Sequence, residues 1–125
     1  MKKADWDSLR YFKPSEFICK CGCGAGTEEM LRDFMIRLEN AREIAGIPFL
    51  ISSGFRCAKH NKFVGGVADS AHVRGLAADI LTSGSLERYT ILNAVLKVFP
   101  RVGVDKHFIH VDFDLTKPNP SLFLY

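Results

Sequence analysis

Residues 76–81, Leu-Ala-Ala-Asp-Ile-Leu, set a carboxylate in the middle of a segment that otherwise reads as a buried strand. Alternate side chains of a strand share a face, so Ala77, Asp79 and Leu81 point one way while Leu76, Ala78 and Ile80 point the other. A carboxylate buried without a partner is strongly unfavourable, so Asp79 requires a cation or strong donors. The same alternation recurs near the C-terminus, where His110 and Asp112 share a face opposite Ile109, Val111 and Phe113. If the two strands are neighbours, roughly 5 Å apart, Asp79 and His110 converge on one point. That pairing limits the folds open to the chain more than any other feature.

The remaining elements follow from periodicity and punctuation. Thr27 is placed to cap a helix over 27–46, with Glu28 and Glu29 in the first turn and Gly46 as the stop. Leu31, Phe34, Met35, Leu38, Ala41 and Ala45 recur on it at helical spacing. Residues 49–52 read as a short buried strand, and 54–75 as irregular with one helical turn near 58–63 and a tight turn at Gly65-Gly66. Ser83 or Ser85 opens a second helix with the stripe Leu92, Val95, Leu96 and Phe99, ended by Pro100. Residues 102–104 and 108–113 read as strands, joined as an antiparallel hairpin around Asp105-Lys106. Helices segregated from a small, mainly antiparallel sheet predict an α+β domain with flanking helices.

Composition supports a packed core: hydrophobic residues are 47% and charged residues 25% of 125, which suits one domain spanning 1–125. No apolar run is long enough to span a bilayer, and MKKADWDSLRYF lacks the apolar segment of a signal peptide. Met1 is therefore expected to begin the working protein. The net charge of +3 is dispersed, with no basic block or aromatic platform, so nucleic acid binding is not expected. A monomer is expected.

A loop His72 completes the constellation with Asp79 and His110. Gly75 allows the chain to turn from the loop into the strand. A lone loop histidine is usually a surface residue, and a lone strand aspartate is often a hydrogen-bonded core group. Taken together, two imidazoles and a carboxylate match a catalytic zinc site with three protein ligands and an open position. The predominance of imidazole favours Zn2+ over magnesium, and the pattern points to a hydrolase.

Cys19, Cys21 and Cys23 lie in CKCGC, and Cys57 follows Arg56. Four thiolates could close a structural zinc site, but C-x-C-x-C is not the usual paired C-x-x-C spacing. Free or disulfide-linked cysteines that tie down the N-terminal loop are the alternative, and the sequence leaves the choice open.

Three ordered motifs carry a resemblance: Ser53-Gly54-Phe55-Arg56, the run G-G-x-x-x-S-x-H-x-x-G-x-A-x-D from Gly65 to Asp79, and Phe108-Ile109-His110-Val111-Asp112. The chain resembles the zinc D-Ala-D-Ala peptidases, which share a fold with the hedgehog signalling domain. It is most similar to short phage- and bacterium-encoded wall peptidases, whose F-x-C-x-C-G-C segment matches residues 17–23. The likeness implies His72, Asp79 and His110 as zinc ligands, and Arg56 as the group that binds the substrate carbonyl or carboxylate and steadies an oxyanion. It places Ser70 where relatives bind substrate, although its hydroxyl could equally stabilise the loop. His60-Asn61 matches a family pair, with no zinc role assigned to His60.

Several relatives carry Glu or Asp three residues before the last zinc histidine as general base. Here that position is His107, the first choice for the base, with Asp105 as the alternative. Asp112 is expected to fix the tautomer of His110 or to be another buried ligand. The implied substrate is the peptidoglycan stem peptide, cleaved by a DD-carboxypeptidase or an endopeptidase of endolysin type. Such an enzyme would reach the wall by lysis or as part of a virion, although a cytoplasmic dipeptidase would look the same. The alternative is a catalytically silent zinc-binding module that binds wall or serves as a structural phage component.

Overall fold

The computed structural model describes residues 1–125. Its helices are α1 (Arg32–Ala45), α2 (Ala58–Phe63) and α3 (Gly84–Val95), and its strands are β1 (Ile51–Ser53), β2 (Ala77–Leu81), β3 (Arg101–Val104), β4 (Phe108–Asp112) and β5 (Ser121–Leu124). The strands form one sheet in the order β1-β2-β4-β3-β5. All neighbours run antiparallel except β3 and β5, which are parallel. This is the α+β architecture expected from the segregation of helices and strands.

The register of the sheet follows from its two unlike faces. Across β2 and β4, Ala77 faces Asp112, Asp79 faces His110 and Ile80 faces Ile109. Ala78, Ile80, Ile109 and Val111 are fully buried and join Phe34, Leu38, Ile91 and Val95 in the core. Burying one such large side chain contributes roughly 1.5–3 kcal/mol relative to exposure. A slip of one residue would turn this apolar set to the other face, so the core itself holds Asp79 opposite His110.

Helix α1 starts four residues later than a cap at Thr27 suggests, with Leu31 in the cap position. Backbone pairing with the N-terminal segment takes that stretch out of helix: Ala4 N–H donates to Met30 O, Arg32 N–H to Lys2 O and Leu31 N–H to Gly75 O. Glu29 instead accepts from Gly26 N–H, and Glu28 pairs with Lys3. The stop at Gly46 is as expected, with φ 71° and its N–H on Arg42 O. Strand β1 lies slightly beyond the expected 49–52 and is half-buried, because it forms the sheet edge. In α3 the buried face runs through Ile91, Ala94 and Val95, with Phe99 buried just beyond the helix and Leu96 exposed. The hairpin of β3 and β4 and the helical turn at 58–63 lie where the sequence put them.

The C-terminal strand β5 has no counterpart in the sequence reading. It lies beside β3 with Phe123 opposite Gly103. A Cβ at Gly103 would come 2.3 Å from the Phe123 ring, so only glycine lets that ring lie against the sheet. Phe123 and Tyr125 thereby flank the His110 ring, at centroid distances of 5.7 Å and 6.5 Å.

Candidate metal centre

His72 sits on a short 3-10 turn, Ala71–Arg74, between the irregular loop and β2. The Ser70 hydroxyl caps this turn by accepting from His72 N–H at 3.2 Å. Gly75 ends it in the left-handed region, φ 72°, and a Cβ there would lie 1.9 Å from the Glu29 carbonyl oxygen. Both the conformation and the close approach require glycine. The ring is fixed by Nδ1, 2.8 Å from the Gly54 carbonyl oxygen. A carbonyl only accepts, so Nδ1 carries the proton and Nε2 presents a lone pair. That Nε2 is buried with no hydrogen-bond partner.

Asp79 Oδ1 lies 3.3 Å from His72 Nε2 and 3.0 Å from His110 Nδ1. On the far side of the His110 ring, Nε2 is 2.7 Å from Asp112 Oδ2. Asp112 is itself held by Arg101 Nε at 2.9 Å and by Asp114 N–H at 3.1 Å. A neutral imidazole donates once. With its proton on the shorter contact to Asp112, His110 turns a lone pair toward an anionic oxygen. Lone pairs from two imidazoles thus meet one carboxylate, an arrangement that a cation between them completes.

The spacing suits zinc. Zinc–nitrogen and zinc–oxygen bonds near 2.0–2.2 Å place tetrahedral ligand atoms roughly 3.3 Å apart, against the observed 3.0 and 3.3 Å. All three donor atoms lie within 4.8 Å of one another. The titration of the bare site reflects the same crowding. Burial opposes the charged form of Asp79, but the close approach of His110 and His72 outweighs it and holds the carboxyl well below its usual range. Burial likewise opposes a charged His110, but Asp112 and Asp79 outweigh it and raise its pKa.

Arg56 reaches the cluster from the turn after β1. Its guanidinium lies 3.7 Å from Asp79 Oδ2 and donates to Ser53 Oγ and to Asn61 Oδ1, at 3.2 Å and 2.9 Å. Asn61 is buried on α2 and anchored to the Val67 carbonyl at 2.8 Å. A cavity of about 300 Å3 opens over Arg56, Ser70, His72 and His110, and Lys117 stands at its side. A second cavity of about 400 Å3 reaches Asp79 and shares Arg56 and Tyr125 with the first. Burial and the charge of Asp79 push the Tyr125 phenol above its ordinary pKa.

The structure therefore gathers His72, Asp79, His110, Arg56, Ser70 and Asp112. It does not bring His107 to them: that side chain is exposed on the β3–β4 turn and lines neither cavity. Asp105 is half-buried on the same turn and accepts from His107 N–H at 2.9 Å. His60 is half-buried, stacks on Phe63 and lines the second cavity. Arg101, Phe123 and Tyr125 escaped the sequence reading. Arg101 stands opposite Asp112 because the turn between β3 and β4 is longer than the two residues Asp105-Lys106, which sets Val104 against Ile109.

No curated protein matches the chain at a significant level. The family model described as Peptidase M15 matches residues 10–112, a span that holds every member of the cluster. The chain belongs to the Peptidase M15 family of zinc metallopeptidases.

Proposed function

We propose that residues 1–125 form one zinc peptidase domain that hydrolyses an amide in the peptide stem of peptidoglycan, as a DD-carboxypeptidase or an endopeptidase of endolysin type. The observation that carries this reading is the buried, unpartnered Nε2 of His72, aimed at the oxygen of Asp79 that His110 also faces. His72, Asp79 and His110 would hold the metal, through Nε2, Oδ1 and Nδ1. Zinc at such a site supplies Lewis-acid polarisation of a carbonyl and lowers the pKa of water.

The chain's own groups do the rest. Gly54 O and Asp112 fix the two imidazole tautomers so that their lone pairs converge. Arg56, locked by Ser53 and Asn61, offers a preorganised guanidinium where negative charge develops on the scissile carbonyl. Arg56 and Lys117 give the first cavity positive charge suited to a terminal carboxylate, which supports a stem-peptide end as substrate. Ser70 holds the His72 turn and lines the cavity. Proton transfer is assigned to the β3–β4 turn, with His107 first and Asp105 second, and either must swing inward to act. The assignment to bacterial wall, and to the lysins of phages and bacteria, rests on the motif resemblance over residues 17–23, 53–56, 65–79 and 108–112.

A zinc-binding module without catalysis is the second reading, favoured by the exposure of His107. Metal analysis of His72→Ala and Asp79→Ala tests the ligand set. Loss of the ion from this site in both variants is expected, and normal zinc content in both would refute the assignment.

A further inference from the structure

Four sulfurs meet at a second place, one of them on Cys57, the residue after Arg56. Cys19, Cys21 and Cys57 form a triangle of Sγ atoms with edges of 3.4, 3.7 and 3.7 Å. Cys23 closes the group, all four Sγ atoms lying within 4.8 Å of one another. A disulfide needs a bond of about 2.05 Å and joins sulfurs in pairs, whereas here each of three sulfurs touches two others and none is bonded. Tetrahedral zinc thiolates, with Zn–S near 2.3 Å, place their sulfurs roughly 3.8 Å apart. The observed triangle is close to one face of that tetrahedron.

The surroundings suit thiolates. Cys57 N–H donates to Cys19 Sγ and His60 N–H donates to Cys57 Sγ, each at 3.4 Å. Lys20 and Lys59 line the same pocket and offset negative charge. The loop also has little else to hold it. Residues 20–24 are exposed, Gly22 and Gly24 take positive φ, and the loop brings no large apolar side chain to the core. Ordering such a segment costs conformational entropy of about 1–2 kcal/mol per residue, which a metal–thiolate cluster can offset.

We propose that Cys19, Cys21, Cys23 and Cys57 form a second, structural site for a thiolate-bound divalent metal, zinc by preference, closed by four protein ligands. It ties the N-terminal loop to the residue that caps α2, next to Arg56 and one turn before Asn61. The site is independent of the His72, Asp79 and His110 cluster and stands whether or not that cluster binds zinc.

Metal content of the intact protein, purified with zinc under reducing conditions, tests this. The expected result is two zinc ions per chain. The double variant Cys23→Ser/Cys57→Ser should lose one, and His72→Ala/Asp79→Ala should lose the other. Cobalt loading should give thiolate-to-cobalt charge-transfer absorption that persists in the histidine–aspartate variant and vanishes in the cysteine variant. Should the cysteine variant fail to fold, an organomercurial added to wild-type protein should block four thiols and release one zinc. Four freely titrating thiols with no metal released would overturn the proposal, as would a mass lower by two hydrogens per disulfide. One ion lost only in the cysteine variant would uphold this site while removing the proposed catalytic one.

Discussion

Asp79 and His110 stand directly opposite each other on β2 and β4, with Oδ1 3.0 Å from Nδ1. The same ring is gripped from behind by Asp112, 2.7 Å from Nε2. Asp112 is almost fully buried and carries the charge that faces Arg101. The pair across the ladder therefore depends on a third residue to decide which nitrogen keeps the proton.

Replacing Asp112 by asparagine weakens that control and strips Arg101 of its ion-pair partner. Losses of about 10–100-fold in zinc affinity or turnover are expected, the usual range for such outer partners. Competition with a chelator and steady-state rates measure both. Unchanged values in each would mean that Asp112 does not set the tautomer.

Arg56→Lys keeps the charge but not the fork that binds Ser53 and Asn61 together. Turnover is expected to fall about 10²-fold or more, the range for one oxyanion donor, with zinc content unchanged. A variant with normal kcat and a raised KM alone would place Arg56 in ground-state binding.

Asp114 has a different duty. It is buried and accepts from Thr116 and Arg74 at 2.6 Å and 3.0 Å. Burial opposes its charge, but the Thr116 hydrogen bonds and the charges of Arg74 and Lys117 outweigh it, so its folded pKa lies below the ordinary value. A depressed pKa contributes stability above the unfolded value, near 3.9, that is lost as pH falls through the folded value. Asp114→Asn should therefore cost about 1–3 kcal/mol at pH 6, a gap that narrows below about pH 4. Denaturant melts at both pH values check this, and a gap that widens in acid would contradict it.

His107→Ala and Asp105→Ala, compared at equal zinc occupancy, identify the proton acceptor. Loss of about 10²–10⁴-fold in turnover is expected in the variant that removes it. Full activity in both would reject each candidate.

The convergence of Asp79 and His110 was legible because strand alternation has a period of two and both strands carry their polar residues in phase. The placement of α2 and the end of α1 at Gly46 were legible from local signals for the same kind of reason. The start of α1 was not, because Met30–Arg32 pair with the N-terminal segment and with Gly75, contacts distant in sequence. β5 was hidden as well: Ser121–Leu124 follows two prolines and gains its place only by pairing with β3. The exposure of His107 lies beyond periodicity, since a turn residue has no face assigned by alternation.

The most direct measurement is the release of new amino groups from purified peptidoglycan. The protein should release them with zinc present, stop when a chelator strips the metal, and resume when zinc is restored. Zinc retained in the His72, Asp79 and His110 site with no amino groups released from any wall type would contradict the account.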